Sequence, residues 1–278
     1  MADRLATLPM YDRPELRAAT DRLWRFLRDA LETAGAVDVP KELDHERAHS
    51  DGWADDRLLF SQACGYDVHL RFPDRLTPVG APRYRAEGCR GATYRSAIVV
   101  RVDEEVKGVS ALRGRVAAYN EPTSHSGRVA LAAVVGEHAR GGRFFAGLAE
   151  TGSHEASAEA VASGRADVAA LDCTSWALIR RARPALAEAL RILTFSPPCP
   201  APPFVMGPAA SEDERRIVSD ALWRVGTEPS LAASREALLL DGVEPVTAAA
   251  YLACGELADR AEAFGYDLLA DAEPSSTR

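Results

Sequence analysis

Short apolar runs alternate with longer amphipathic stretches along most of the chain. The runs LATLPMY (residues 5–11), DRLLFSQ (56–62), TPVGAPRY (77–84), YRSAIVVRV (94–102) and GRVAAYN (114–120) read as strands, the first running into a loop. FAGLAETG (145–152), ADVAALD (166–172) and LRILTFS (190–196) continue the series. Between them, PELRAATDRLWRFLRDALETAG (14–35) puts Leu16, Leu23, Phe26 and Leu27 on one helical face, with Pro14 near its start and Gly35 at its end. RVALAAVV (128–135) reads as a helix that is apolar all round, which predicts burial. HEASAEAVASG (154–164) is a helix closed by Gly164. After the proline-rich PPCPAPP (197–203) the chain reads as helical. SEDERRIVSDALWRVG (211–226) opens with Ser211 and Glu214 at capping-box spacing, and PVTAAAYLACGELADRAEAFG (245–265) is the last long helix. The tail AEPSSTR (272–278) reads as loose.

Strands alternating with helices predict an α/β fold with mainly parallel sheets. Two such blocks, about 1–103 and 104–196, predict two lobes, which suits a chain of 278 residues. The helical end is expected to pack on the first block. With 47% hydrophobic and 27% charged residues the chain can bury a core. A net charge of −8, with 31 Arg and 2 Lys, leaves no basic stripe, so no nucleic-acid partner is expected. No apolar run approaches the ~20 residues of a membrane-spanning helix, so no membrane insertion is expected. The first residues, MADRLATLPMYDRPEL, lack the basic and apolar regions of a secretory signal. As written, the chain is therefore expected in the cytoplasm. A start site placed too late would conceal a leader, and the compartment would then be the periplasm.

The candidate chemistry begins at NEPTSHSG (120–127), between a strand and the buried helix. Ser124, His125, Ser126 and Gly127 fall at the helix N-terminus. The first N–H groups there lack partners inside the helix, and the dipole makes that end positive. Hydroxyls and an imidazole add donors, and Gly127 lets a ligand approach the backbone. Such a mouth suits a tetrahedral oxyanion. The competing reading is that one serine is only an N-cap. TGSHEAS (151–157) repeats the arrangement, with His154 in the first turn of the next helix. In open α/β sheets ligands bind beyond the carboxyl ends of strands, where His154 would lie. Asp172 ends the strand ADVAALD, either as a hydrogen-bond acceptor for a ligand or as a cap for the helix that follows. The GK[ST] ending of a phosphate-binding nucleotide loop is missing, and so is GxSxG, which weakens a triad of Ser124 or Ser126 with His154 and Asp172. No cofactor and no metal centre are expected. The five cysteines, Cys64, Cys89, Cys173, Cys199 and Cys254, are scattered without a CxxC. Their spacing argues against a disulfide framework or a zinc site and predicts buried free thiols. A Cys64–Cys89 bridge would need an oxidising compartment.

LRGRVAAYNEPTSHSG (112–127) resembles the "dLkGk…dp.StSG" signature of the phosphonate/phosphate-type substrate-binding proteins of ABC transporters. YRSAIVV (94–100) resembles that family's crossover strand, SQACGYD (61–67) its second strand and loop, and TGSHEASAEAVASGRADVAALD (151–172) its "GsH..sl.av..G.vDvaa.d" block. The resemblance covers roughly residues 5–205. It implies a type II periplasmic-binding-protein fold: two mixed α/β sheets flanked by helices, with a ligand cleft between two lobes. Lobe 1 would comprise 1–103 plus 204–278, and lobe 2 would comprise 104–203. Ser124, His125, Ser126 and Gly127, with His154, would hold the ligand oxygens from lobe 2. Tyr11 and Gln62 would face the ligand from lobe 1, with Tyr94 on the crossover strand. The chain departs from the family where His125 stands in place of a hydroxyl. It departs again at Thr174 and Pro202, where binders of aminophosphonates carry acids; Asp172 would have to replace them.

The function these readings predict is binding of a small phosphate- or phosphonate-like anion, as the substrate-binding component of an ABC transporter or a related sensor. An ABC permease would be the partner if the protein is exported. The alternatives are a cytosolic enzyme on the same fold, acting on a small phosphorylated or carboxylated metabolite, and a ligand-responsive interaction protein.

Overall fold

A computed structural model describes residues 3–272 of the chain. They form two compact units, and the chain passes between them several times. One unit contains residues 3–85, 90–93 and 200–252; the other contains 86–89, 94–199 and 253–272.

The first unit is built on a mixed five-stranded sheet ordered Leu5–Ala6, Leu58–Gln62, Phe204–Met206, Thr77–Tyr84, Leu240–Glu244. Only the first pair is parallel. Of the predicted face Leu16, Leu23 and Leu27 are buried, joined in the helix Arg17–Thr33 by Trp24 and Leu31, while Phe26 is only half-buried. Phe26 carries the Arg224 guanidinium over its ring, 5.5 Å from the centroid. Helix Glu212–Arg224 begins with the complete capping box. Ser211 Oγ accepts from the Glu214 N–H, and Glu214 Oε2 accepts from the Ser211 N–H. The expectation of a wholly helical end is corrected here. Phe204–Met206 enters the sheet between two earlier strands, and Leu240–Glu244 forms its edge. Phe204–Met206 is a three-residue apolar run and Leu240–Glu244 a five-residue mixed one, both too brief for periodicity to separate strand from helix.

The second unit holds another mixed five-stranded sheet, ordered Gly147–Glu150, Val116–Tyr119, Val168–Asp172, Ser96–Arg101, Leu190–Phe195. The first three strands are mutually parallel, while Ser96–Arg101 is antiparallel to both of its neighbours. The expectation of mainly parallel sheets therefore gives way to mixed ones. Returning segments insert strands that run against the alternating β–α units. Successive side chains of a strand point to opposite faces, and both faces here are apolar. Ala97 and Val99 pack with Ala158, Val161 and Trp176, whereas Ile98 and Val100 pack with Leu131, Val135, Phe145 and Tyr266. Burial on both sides explains why this strand reads as an unbroken apolar run.

The C-terminal segment departs from the expected packing on the first block. Residues 253–272 belong to the second unit, and Ala261, Tyr266 and Leu268 complete its core. The loose-tail expectation concerns residues that lie almost wholly outside those described. Asp271 fixes this segment. Its buried carboxylate accepts from the backbone N–H groups of Phe144 (3.2 Å) and Phe145 (2.9 Å) and from the Tyr266 hydroxyl (2.6 Å). Removing it strands three buried donors, each costing about 1–3 kcal/mol when unpaired. Asp271→Ala is therefore expected to lower stability by about 3 kcal/mol, read from the midpoint of urea unfolding. Asp271→Asn, which keeps an acceptor, should lose less.

Candidate functional site

Three neighbouring parallel strands of the second unit end along one edge of its sheet, and each is followed by a helix start. After Val116–Tyr119 the chain turns through residues 120–124 into a helical run that begins with one wide turn, His125–Val129, and continues as Ala130–Val135. After Gly147–Glu150 comes helix His154–Ala162, and after Val168–Asp172 comes helix Cys173–Ala182.

At the first start Ser124 is the N-cap, its Oγ accepting from the Gly127 N–H at 3.0 Å. The expectation that Gly127 leaves room for a ligand is refined by Asn120, absent from the sequence candidates. A Cβ on Gly127 would lie 1.8 Å from Asn120 Oδ1, so a protein side chain already fills that space. Asn120 Oδ1 is itself buried without a hydrogen-bond partner. Only its position in NEPTSHSG, directly after the strand, could have marked it.

His125 and Ser126 are buried. The His125 ring meets the buried Tyr94 hydroxyl, 3.0 Å from Nδ1. Ser126 Oγ lies 2.9 Å from His154 Nε2, so two of the three helix starts are joined by a side-chain hydrogen bond. Ser124, His125, Ser126, Gly127, His154 and Tyr94 thus fall in one neighbourhood. Burial holds both imidazoles below their ordinary pKa: His125 is lowered, and His154 is pushed down to about 4. His154 is half-buried as a residue, but its ring lies deep. Both rings are neutral at pH 7, so each has one N–H to donate and one nitrogen to accept.

Asp172 takes the capping alternative. Its Oδ1 accepts from the N–H groups of Thr174 (2.7 Å) and Ser175 (2.9 Å). Tyr11 and Gln62 belong to the first unit, where they line one small pocket with Tyr84, Leu23 and Phe204. Gln62 Nε2 donates to the Tyr84 hydroxyl and to the Pro202 carbonyl, both at 2.9 Å. Tyr11 packs edge-on against Tyr84, with ring centroids 5.2 Å apart. Tyr84 closes a predicted strand but carried no signal as a site residue.

Four of the five cysteines meet in pairs. All five cysteines are free in the structure, as expected, and Cys89 Sγ sits 3.2 Å from Cys173 Sγ, so the conditional Cys64–Cys89 bridge is not formed. Cys199 and Cys254 bring their sulfurs to 2.7 Å. With a ring nitrogen of His125 they form a buried trio whose donor atoms all lie within 4.8 Å of one another.

Over residues 5–251 the chain matches the family described as the periplasmic substrate-binding protein of ABC phosphonate transporters. No curated protein matches it in sequence. Among solved structures it is similar to PhnD1 of Prochlorococcus marinus in complex with methylphosphonate: TM-score 0.73 at 15% identity, covering 94% of this chain and 98% of that one. It is likewise similar to a binding-protein component of an ABC phosphonate transporter from Pseudomonas aeruginosa, with TM-score 0.72, 15% identity and coverage of 97% and 89%. A Xanthomonas citri protein bound to chloride ion aligns with TM-score 0.71 at 16% identity, covering 95% and 99%. These solved relatives have the type II periplasmic-binding-protein fold, and the two mixed sheets flanked by helices agree with it. Among the described residues no helix is long and apolar enough to cross a membrane.

The lowered histidines tie stability to pH. Below about pH 6.5 the unfolded chain binds a proton at each histidine while the folded site does not, so unfolding gains protons and becomes easier. Stability is therefore expected to fall as pH drops from 6.5 toward 4, by up to about 1.4 kcal/mol per pH unit from His154, with His125 acting in the same direction. Urea unfolding at a series of pH values checks this, and His154→Asn should flatten the slope.

Proposed function

The chain belongs to the family of periplasmic substrate-binding proteins of ABC phosphonate transporters, and from that premise we propose that its helix mouth at residues 124–127 binds a small phosphonate through its oxygens. The contact between Ser126 Oγ and His154 Nε2 at 2.9 Å carries this reading. It aims donors from two helix starts at the same edge of the sheet, where the positive ends of helix dipoles favour an anion.

The proposed chemistry is recognition without bond making. With its proton on Nε2, neutral His154 would donate to Ser126 Oγ, which would free the serine hydroxyl proton for a phosphonate oxygen. Ser124 Oγ already accepts from the Gly127 N–H, so its own hydroxyl proton is likewise free to donate. The uncapped N–H groups of the first turn add further donors. His125, anchored to Tyr94, offers an imidazole in place of the family's usual hydroxyl. Neutral donors bind an oxyanion well in a low-dielectric site, because hydrogen bonds to a charged group are the strong ones.

Asp172 spends one oxygen on two backbone N–H groups, and neither Thr174 nor Pro202 is acidic. This supports a simple alkylphosphonate over one bearing an amine. The P. marinus relative was solved with methylphosphonate; that ligand is the natural first probe here. We further propose that the protein works in the periplasm, handing its ligand to a permease, and that it breaks no bond in doing so. A phosphonate binder is expected to leave methylphosphonate intact in phosphorus NMR after prolonged incubation.

Calorimetric titration with methylphosphonate tests the site. Ser124→Ala combined with Ser126→Ala is expected to weaken binding by about 2–4 kcal/mol, the loss of two hydrogen bonds to a charged group. Unchanged affinity in a folded double variant would place the ligand elsewhere.

A further inference from the structure

Cys199 and Cys254 lie far apart in sequence, yet their sulfurs approach to 2.7 Å. Non-bonded carbons settle about 3.5–4.0 Å apart, and sulfur is the larger atom. The pair is thus held inside ordinary contact distance. Both residues are buried, at 3% and 1% exposure. We propose that Cys199 and Cys254 form a disulfide in the mature protein.

The neighbouring His125 nitrogen raises the rival idea of a metal centre. Zinc–sulfur bonds of about 2.3 Å in a tetrahedral site hold two thiolates about 3.8 Å apart. The observed sulfurs are much closer than that, and the separation falls on the side of a covalent bond of about 2.05 Å. The family's description as periplasmic adds an oxidising setting in which such bonds persist. The inference does not depend on what the helix mouth binds.

The bond would close a particular loop. Cys199 is the last residue before the chain leaves the second unit, and Cys254 follows shortly after its return at Ala253. The disulfide therefore joins exit to re-entry and fastens helix Leu252–Glu262 to the second unit. In the step itself, the thiolate of one cysteine attacks a sulfur of an external disulfide, such as oxidised glutathione, and displaces one thiolate. The thiolate of the other cysteine then displaces the second. The protein loses two hydrogens, and the oxidant leaves as two thiols. Because both sulfurs are buried, exchange takes place while the chain is still folding.

The test uses the full chain, reduced and unfolded, then refolded with oxidised glutathione. Free thiols are alkylated with iodoacetamide in denaturant, and the digest is read by mass spectrometry without reductant. The expected result is one peptide pair joining Cys199 to Cys254, two hydrogens lighter than the separate peptides and released by dithiothreitol. Cys254→Ser should abolish the pair and leave Cys199 alkylated or joined to glutathione. Should that variant fail to fold, the melting temperature of the wild-type chain should still fall by several degrees on reduction. The proposal is overturned if both cysteines are alkylated after refolding, or if either is joined to a different cysteine. It is also overturned if the chain carries stoichiometric zinc that protects both from oxidation.

Discussion

The hydrogen bond between Ser126 Oγ and His154 Nε2 joins the starts of two helices that follow adjacent parallel strands. Much of the second unit is arranged around the demand this contact makes. Two serines and two imidazoles lie at the end of a sheet whose faces are otherwise alkyl and aromatic. Buried polar groups must be paired or they cost stability, so each has a partner there: His154 for Ser126, Tyr94 for His125, the Gly127 N–H for Ser124. The same burial keeps the histidines neutral. Under the proposed reading, a site furnished with hydroxyls, backbone N–H groups and neutral rings would recognise an oxyanion by direction of hydrogen bonding more than by net charge.

Parallel pairing is what gathers these residues. Strands Gly147–Glu150, Val116–Tyr119 and Val168–Asp172 run the same way, so their carboxyl ends share one edge, and the helix starts that follow them meet there. The antiparallel strand Ser96–Arg101 brings Tyr94 to that edge from the opposite direction, since residue 94 precedes the strand and Ser96 pairs with Asp172. The mixed character of the sheet thus has a functional consequence. An all-parallel sheet would have left His125 without its tyrosine.

Much of this was legible in the sequence because it is local. A helix mouth announces itself by small and hydroxylated residues between a strand and an apolar helix, and 124–127 and 154 were read that way. Capping chemistry was equally plain at Ser211 and Glu214. What escaped were contacts set by tertiary folding. Asn120 is an unremarkable loop residue until Gly127 is found against it. The strands Phe204–Met206 and Leu240–Glu244 are too short to declare a period, and their company in the sheet decides them. Cysteine spacing was misleading, because Cys199 and Cys254 meet only after the chain has gone out and come back. Asp172 shows the reverse case: sequence offered two roles, and the geometry supplies the N–H groups for capping.

The central claim is that neutral donors at residues 124–127, with Ser126 oriented by His154, receive the ligand's oxygens. The most direct measurement is a nitrogen-15 NMR titration of the labelled protein with methylphosphonate, following backbone amides and histidine ring nitrogens. Saturable shifts concentrated at the amides of residues 124–127 and at the His154 ring, with both imidazoles remaining neutral, are what the account predicts. Shifts confined to other parts of the chain, or protonation of His154 on binding, would contradict it.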